Sequence, residues 1–336
     1  MTGTVYKSTG SWYLVKADPE DSGFYECRIK GKFRISGIKS TNPVAVGDRV
    51  VFDVEKNNKG GDEKLGVIKK ILERENYIIR KSVNLSKQTH IIAANIDLVF
   101  LMVTLNNPPT FTTFIDRFLV TAEAYHIKAV LLFNKIDTYS EDESNEIKYL
   151  AHIYREIGYT CIGISAKTGK NVEQVKALMQ GKTSMFSGHS GTGKSTLINK
   201  IEPSLDLKTA KISDQHQQGL HTTTFAEMYD LTHSTSLPAG KEGSEQDFGA
   251  RIIDTPGIKG FGVVDMEKEE VGDYFPEFFA LKPQCKFNNC LHLREPNCAV
   301  KTALEEGKIP FSRYKSYLQI LEGEEENYRK DIYGEK

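Results

Sequence analysis

Six short clusters in this 336-residue chain carry side chains suited to phosphate, purine and metal chemistry. Gly188-His189-Ser190-Gly191-Thr192-Gly193-Lys194-Ser195, with Thr196 after it, fits the pattern G-x-x-x-x-G-K-S. Its glycines let successive backbone N–H groups turn inward around phosphate oxygens, and a following helix adds its positive end. Lys194 is placed to bridge β- and γ-phosphates, and Ser195 to put its hydroxyl on Mg²⁺. Asp254-Thr255-Pro256-Gly257 supplies an acidic partner for that Mg²⁺ through water, and a Gly257 N–H for the γ-phosphate. Asn134-Lys135-Ile136-Asp137 suits guanine, because the Asp137 carboxylate accepts from both N1–H and the exocyclic amino group. Adenine offers no such pair, so a buried Asp137 facing it would stay unpaired. Ser165-Ala166-Lys167 can present the Ala166 N–H to the base oxygen, and Lys135 can lay its alkyl stem along the base plane. Each short motif alone is compatible with a solvated turn. Together with a phosphate loop on one chain, they specify GTP.

The order of these clusters is unusual. The base-reading segments precede the phosphate loop, and His221-Thr222-Thr223-Thr224 and Asp254–Gly257 follow it. Ordinary GTPases begin with the phosphate loop, so the chain reads as a circular permutation. One of Thr222, Thr223 and Thr224 must reach Mg²⁺ and the γ-phosphate. Ile258 stands where many GTPases carry a water-orienting Gln, so unaided hydrolysis is expected to be slow. His221 is the nearest replacement in sequence, against the alternative of an ordinary exposed loop residue or of a group supplied by RNA.

Cys285-x4-Cys290-x-His292-x5-Cys298 is the sixth cluster. Three thiolates and one imidazole satisfy a tetrahedral Zn²⁺ and leave no open position, which predicts one structural zinc per chain. Unrelated buried cysteines are the bland alternative, disfavoured by their spacing.

The elements that must position these groups follow from the patterning. Residues 1–72 read as about five short strands (Ser11–Lys16, Phe24–Ile29, Phe33–Ile35, Asp48–Val54 and Leu65–Ile71) between glycine-rich turns, which predicts an all-β OB-type barrel. That segment holds 13 Lys/Arg against 9 Asp/Glu. Arg28, Lys30, Lys32 and Arg34 alternate onto one face, either a solvated surface or a phosphate-binding one, and Trp12, Tyr13, Phe24, Tyr25 and Phe33 divide between core and base stacking. Residues 73–92 read as a polar linker. From residue 93 to 270, strands at Leu98–Thr104, Ala129–Phe133, Cys161–Ile164, Met185–Ser187 and Ala250–Ile253 alternate with helices at Phe111–His126, Glu143–Ile157, Val172–Gln180 and Ser195–Ile201. This alternation predicts a doubly wound α/β domain. His233–Gly249 reads as a polar hairpin loop, and residues 271–336 as a helical zinc-binding domain with an acidic tail.

Composition sets the outer limits. The net charge of −1 gives no global case for nucleic acid, so any such surface must be local. No apolar run approaches the ~18 residues of a membrane span. The residues after Met1 lack the basic and apolar regions of a signal peptide, and cysteines gathered as ligands fit a reducing, cytoplasmic compartment.

The permuted order, Gly219-Leu220-His221-Thr222-Thr223-Thr224 and the C-x4-C-x-H-x5-C cluster together resemble the RsgA (YjeQ/YloQ) GTPases over essentially the whole chain. The resemblance implies an OB-fold, a permuted GTPase domain and a zinc-binding helical domain. It implies a late assembly factor of the small (30S) ribosomal subunit that binds 16S rRNA and is stimulated by the subunit to hydrolyse GTP to GDP. It further implies nucleotide and Mg²⁺ binding by Asn134, Lys135, Asp137, Ser165, Ala166, Gly188 to Thr196, Thr223 and Asp254, and zinc binding by Cys285, Cys290, His292 and Cys298. The expected species is a monomer. Two rival readings remain: a GTPase acting on another RNA, and a GTP-gated RNA-binding protein with incidental hydrolysis. Cys285 comes only 28 positions after Gly257, a short covalent path from nucleotide to C-terminal domain and the basis for expecting a GTP-dependent clamp.

Overall fold

A computed structural model describes residues 1–19, 23–29, 43–55, 64–81, 89–207, 226–231, 249–254 and 266–322. The expected strand Phe33–Ile35, residues Lys30, Lys32 and Arg34, the His221–Thr224 motif, Thr255 to Ile258, the loop core at 233–248 and the acidic tail lie outside them.

Five strands close the N-terminal barrel: β1 (Thr2–Ser8), β2 (Tyr13–Ala17), β3 (Phe24–Ile29), β4 (Arg49–Glu55) and β5 (Leu65–Ile71). They pair in the order β1-β2-β3-β5-β4, and β4 returns to β1. Alternation decides what points inward. Tyr13, Val15 and Ala17 of β2 and Tyr25 and Cys27 of β3 are buried with Val50, Phe52 and Ile68. The first strand escaped the pattern reading, since Thr-Gly-Thr-Val-Tyr-Lys-Ser carries too few apolar residues to alternate. It is recruited by its neighbours on both sides.

The stretch read as a linker holds a β-hairpin, β6 (Tyr77–Lys81) against β7 (Thr89–Ala94). The barrel leans on it at Gly47, whose φ is +90° and where a Cβ would run into the Ala94 carbonyl. Ala94 N–H donates to the Val46 carbonyl at 2.9 Å, and Asn95 Nδ2 to the Gly47 carbonyl at 2.9 Å.

The central sheet is built from β8 (Leu98–Val103), β9 (Lys128–Phe133), β10 (Thr160–Gly163), β11 (Thr183–Ser187), β12 (Glu227–Asp230) and β13 (Arg251–Asp254). Its order is β10-β9-β8-β11-β13-β12, parallel except for β12. All six residues of β8 are buried, as a parallel strand covered on both faces requires. One face packs α1 (Thr112–Ala124) and α2 (Glu141–Ile157), the other α3 (Val172–Met179) and α4 (Lys194–Ile201). Helix α2 begins where Ser140 and Glu143 form a reciprocal capping box and ends at Gly158, φ +114°. β12 continues through a Lys7↔Glu227 pairing into β1, so one eleven-stranded sheet spans the central unit and the barrel.

The C-terminal helices are α5 (Lys268–Val271), α6 (Pro276–Leu281), α7 (Ala299–Glu305) and α8 (Phe311–Glu322), packed around Phe275, Phe278 and Tyr317. Val120 of α1 enters that cluster. Beside it Arg313 of α8 donates to Asp116 of α1 at 2.6 Å and to both oxygens of Glu277, while Tyr154 of α2 donates to Asp116 at 2.7 Å. Arg313 and Asp116 are essentially inaccessible to solvent. No described helix is long and apolar enough to cross a membrane.

Candidate nucleotide site and metal centre

The described residues proposed from the sequence for the nucleotide lie at the C-terminal ends of the parallel strands, where open α/β sheets bind ligands. Asn134, directly after β9, organises them. Its Nδ2 donates to the Thr192 carbonyl of the glycine-rich loop at 2.7 Å, and its Oδ1 accepts from the Ala166 N–H at 2.9 Å. One buried amide therefore joins three loops and fixes its own orientation. The sequence pointed the Ala166 N–H at the base oxygen. In the structure Asn134 engages it, because Ala166 is buried directly against that side chain.

Lys135 adopts a left-handed backbone, φ +67°, and its Nζ donates to the Asn107 carbonyl in the loop after β8. Burial lowers its pKa and the neighbouring Asp137 raises it. Asp137 itself is exposed at the rim, and so is Lys167. Buried Ser165 holds its turn by accepting the Thr168 N–H on its hydroxyl at 3.0 Å and the Gly169 N–H on its carbonyl at 2.9 Å.

In the phosphate loop Gly188, Gly191 and Gly193 all have positive φ. At Gly193 a Cβ would collide with Asn134 Nδ2, and at Gly188 it would lie 2.9 Å from Met102. Glycine is thus demanded by close approach as well as by backbone conformation. Thr192 Oγ1 donates to the His189 carbonyl at 2.8 Å, and Lys194 Nζ to the Gly188 carbonyl at 3.1 Å. Burial lowers the Lys194 pKa, and Asp254 at the end of β13 counters it. Ser195 is half-buried at the start of α4, while Ser190, Gly191 and Thr196 face solvent. His189 lies against Phe114 of α1, with ring centroids 4.0 Å apart and planes tilted by 32°, and burial, then Lys194, pushes its pKa down to about 4. It is therefore neutral at physiological pH. Phe114 had no signal in the sequence beyond an apolar helix position.

Cys285, Cys290, His292 and Cys298 are all buried, and their ligand atoms lie within 4.8 Å of one another. His292 turns Nδ1 toward the sulfurs, 3.3 Å from Cys298 and 3.7 Å from Cys285. Thiolates bound at ~2.3 Å around one tetrahedral ion stand roughly 3.8 Å apart, so the donor set fits Zn²⁺. The scaffold is specific: Tyr314 donates to the His292 carbonyl at 2.7 Å, Tyr317 to the Leu291 carbonyl at 2.6 Å, and Glu295 accepts the N–H groups of Leu291, Leu293 and Arg294. A bound ion would cross-link the four ligands.

On the barrel the aromatics divide as alternation requires. Tyr13 and Tyr25 are buried, whereas Trp12 and Phe24 are 48% and 44% exposed. Arg28 is exposed and pairs with Glu55 at 3.0 Å.

The family profile described as RsgA GTPase matches residues 71–264, and the RsgA N-terminal domain profile matches residues 2–61. Proteins named Small ribosomal subunit biogenesis GTPase RsgA are 73% identical in Christiangramia forsetii and 64% identical in Flavobacterium johnsoniae. The first covers 99% of both chains, the second 100% of this chain and 97% of the relative. The crystal structure of YjeQ from Thermotoga maritima superposes with a TM-score of 0.72 at 33% identity, covering 100% of this chain and 99% of that one. That of YloQ, described as a circularly permuted GTPase, gives 0.69 at 30% identity and covers 100% and 96%. The likeness runs the length of the chain, which belongs to the RsgA family of GTPases.

Proposed function

We propose that this GTP hydrolase matures the small ribosomal subunit, acting in the cytoplasm as a monomer that binds 16S rRNA and turns over GTP when the subunit stimulates it. The observation that carries the reading is likeness along the entire chain to relatives named for small-subunit biogenesis. The parts divide as a barrel over residues 1–72, a connector over 73–92, a GTPase unit over 93–270 and a zinc-binding unit over 271–336. Trp12 and Phe24, exposed on a barrel with surplus Lys and Arg, suit base stacking beside phosphate contacts.

Asp137 selects guanine by accepting its two N–H donors, Lys135 and the Ser165-Ala166-Lys167 turn frame the base, and Asn134 holds that turn against the phosphate loop. The backbone of residues 188–196 cradles the phosphates, and Lys194 faces the charge that develops between the β- and γ-groups. Ser195 and Thr223 would hold Mg²⁺, with Asp254 behind it; the ion supplies charge neutralisation to the phosphates. Gly257 contacts the γ-phosphate. With Ile258 unable to orient water, His221 or an RNA group takes that task. Cys285, Cys290, His292 and Cys298 would hold zinc as a cross-link of the C-terminal helices.

Turnover with and without purified small subunits tests this reading. Free protein should hydrolyse GTP at about 10⁻³ per second, the unassisted scale. Small subunits should raise that rate substantially. His221→Ala should reduce the stimulated rate while GTP binding persists. Indifference to small subunits with acceleration by another RNA would transfer the assignment to that RNA.

A further inference from the structure

The edge of the GTPase sheet is occupied by the chain's own barrel. An edge strand exposes unpaired N–H and C=O groups and is a natural docking place for another strand. Here β12 is that edge, and β1 pairs with it at Lys7↔Glu227, where Lys7 Nζ also reaches Glu227 at 3.1 Å. Three residues on, Asp230 gathers Tyr6 Oη at 2.5 Å, Lys16 Nζ at 2.8 Å and Arg251 Nε at 3.4 Å. Tyr6 is a barrel residue, yet it is buried in the same apolar cluster as Met228 of β12 and Ile253 of β13. On its other side β12 is in register with β13, and Glu227 is the direct partner of Asp254. A line of three paired residues therefore runs Lys7–Glu227–Asp254, from the barrel to the acidic residue of the nucleotide site.

We infer that the barrel acts as an intramolecular effector of the GTPase unit: through β1 on β12, the nucleotide state sets the barrel's seat, and the barrel's seat sets the preference between GTP and GDP. Two features favour this path over one through the covalent connector. β12 is only four residues long, and beside the buried Tyr6 its side-chain contacts with the barrel are polar pairs between partly exposed groups, Lys7–Glu227 and Lys16–Asp230. Such pairs can exchange partners at small cost. Coupling is reciprocal, so whatever grips the barrel must alter nucleotide affinity by the same factor that nucleotide alters the grip. The inference rests on the nucleotide site proposed above but not on the ribosomal assignment.

The test uses the full-length protein without any RNA. Affinities for GDP and for a non-hydrolysable GTP analogue are measured by fluorescence titration in wild type, Tyr6→Phe, Lys7→Glu, Glu227→Lys and the Lys7→Glu/Glu227→Lys swap. Hydrogen exchange of Thr2–Ala17 is followed in both nucleotide states. The ratio of the two affinities should move by about 5-fold or more in the single charge variants and return toward wild type in the swap, the lower range of coupling constants. Exchange in Thr2–Ala17 should differ between the nucleotides in wild type and lose that difference in Tyr6→Phe. A merely structural contact would lower the melting temperature and weaken both nucleotides alike, leaving the ratio unmoved, and that result overturns the inference. So does barrel exchange that is identical with both nucleotides. Failure of small subunits to stimulate turnover, with these results intact, would remove the ribosomal reading alone.

Discussion

Replacing Asn134 tests the organisation of the site most directly. Its amide satisfies two buried backbone groups at once, the Thr192 carbonyl at 2.7 Å and the Ala166 N–H at 2.9 Å. Asn134→Ala removes both bonds and leaves both groups in residues that are 0% and 3% exposed. An unsatisfied buried donor or acceptor costs about 1–3 kcal/mol, so the pair is worth roughly 2–6 kcal/mol between folding and ligand binding. The lower figure alone corresponds to about a 30-fold loss in affinity if it falls on the nucleotide. Asn134→Asp is the sharper probe. It keeps the acceptor toward Ala166 but turns a carboxylate oxygen on the Thr192 carbonyl, replacing attraction by repulsion, and should bind GTP worse than the alanine variant. Titration with a fluorescent guanine nucleotide, beside a melting curve to separate stability from affinity, reads both effects. Folded variants that bind GTP within about 3-fold of wild type, or an Asp variant as good as wild type, would refute the bridge as the organiser.

Other outcomes follow from the same geometry. Metal analysis should find about one zinc per chain, and a strong chelator should melt the C-terminal helices while nucleotide binding persists; a metal-free protein with ordered C-terminal helices refutes the centre. Asp137→Asn should cost about 2–3 kcal/mol of GTP affinity and gain xanthosine triphosphate, measured by competition, because the amide mismatches guanine's amino group. His189 has its pKa held near 4 in the fold against an ordinary 6.5. The unfolded chain thus binds the extra proton first, and stability should fall as pH drops from about 6.5 toward 4. His189→Gln should flatten that limb in denaturant titrations, and an unchanged slope would locate the proton uptake elsewhere.

The chemistry was legible because it depends on residue types at fixed spacing, and those survive permutation. Glycines 188, 191 and 193, Asn134 and the Cys285, Cys290, His292 and Cys298 cluster could be named from the chain alone, and the alternation of buried runs with helices pointed to a doubly wound sheet without fixing the order of its strands. What stayed hidden was set by partners distant in sequence. β1 is mostly polar in sequence and β12 only four residues long, and both exist because neighbours pair with them. The hairpin of β6 and β7, which begins in the stretch read as a linker, is stabilised by the barrel and central unit that flank it. Asp116 did leave a trace, a lone carboxylate among Ile115, Phe118 and Leu119 on an apolar helix face, which demands a buried partner. The sequence offered no means of choosing Arg313, nearly two hundred residues away.

That buried pair determines which parts of the molecule can move. Separating α8 from α1 would strand Asp116 or Arg313 in a dry interior, at a cost of about 3–5 kcal/mol. Nucleotide coupling supplies typically about 1–3 kcal/mol, too little to open such a seam. The C-terminal helices that carry the Cys3His cluster and the parallel sheet are therefore held together as one body, despite the short chain path that joins Gly257 to Cys285. On the opposite flank Lys7, Glu227, Lys16 and Asp230 remain within reach of water, and exchanging their partners is cheap. In the coupling inferred above, the C-terminal end is the part that stays fixed, and the seam beside the barrel is the part that gives.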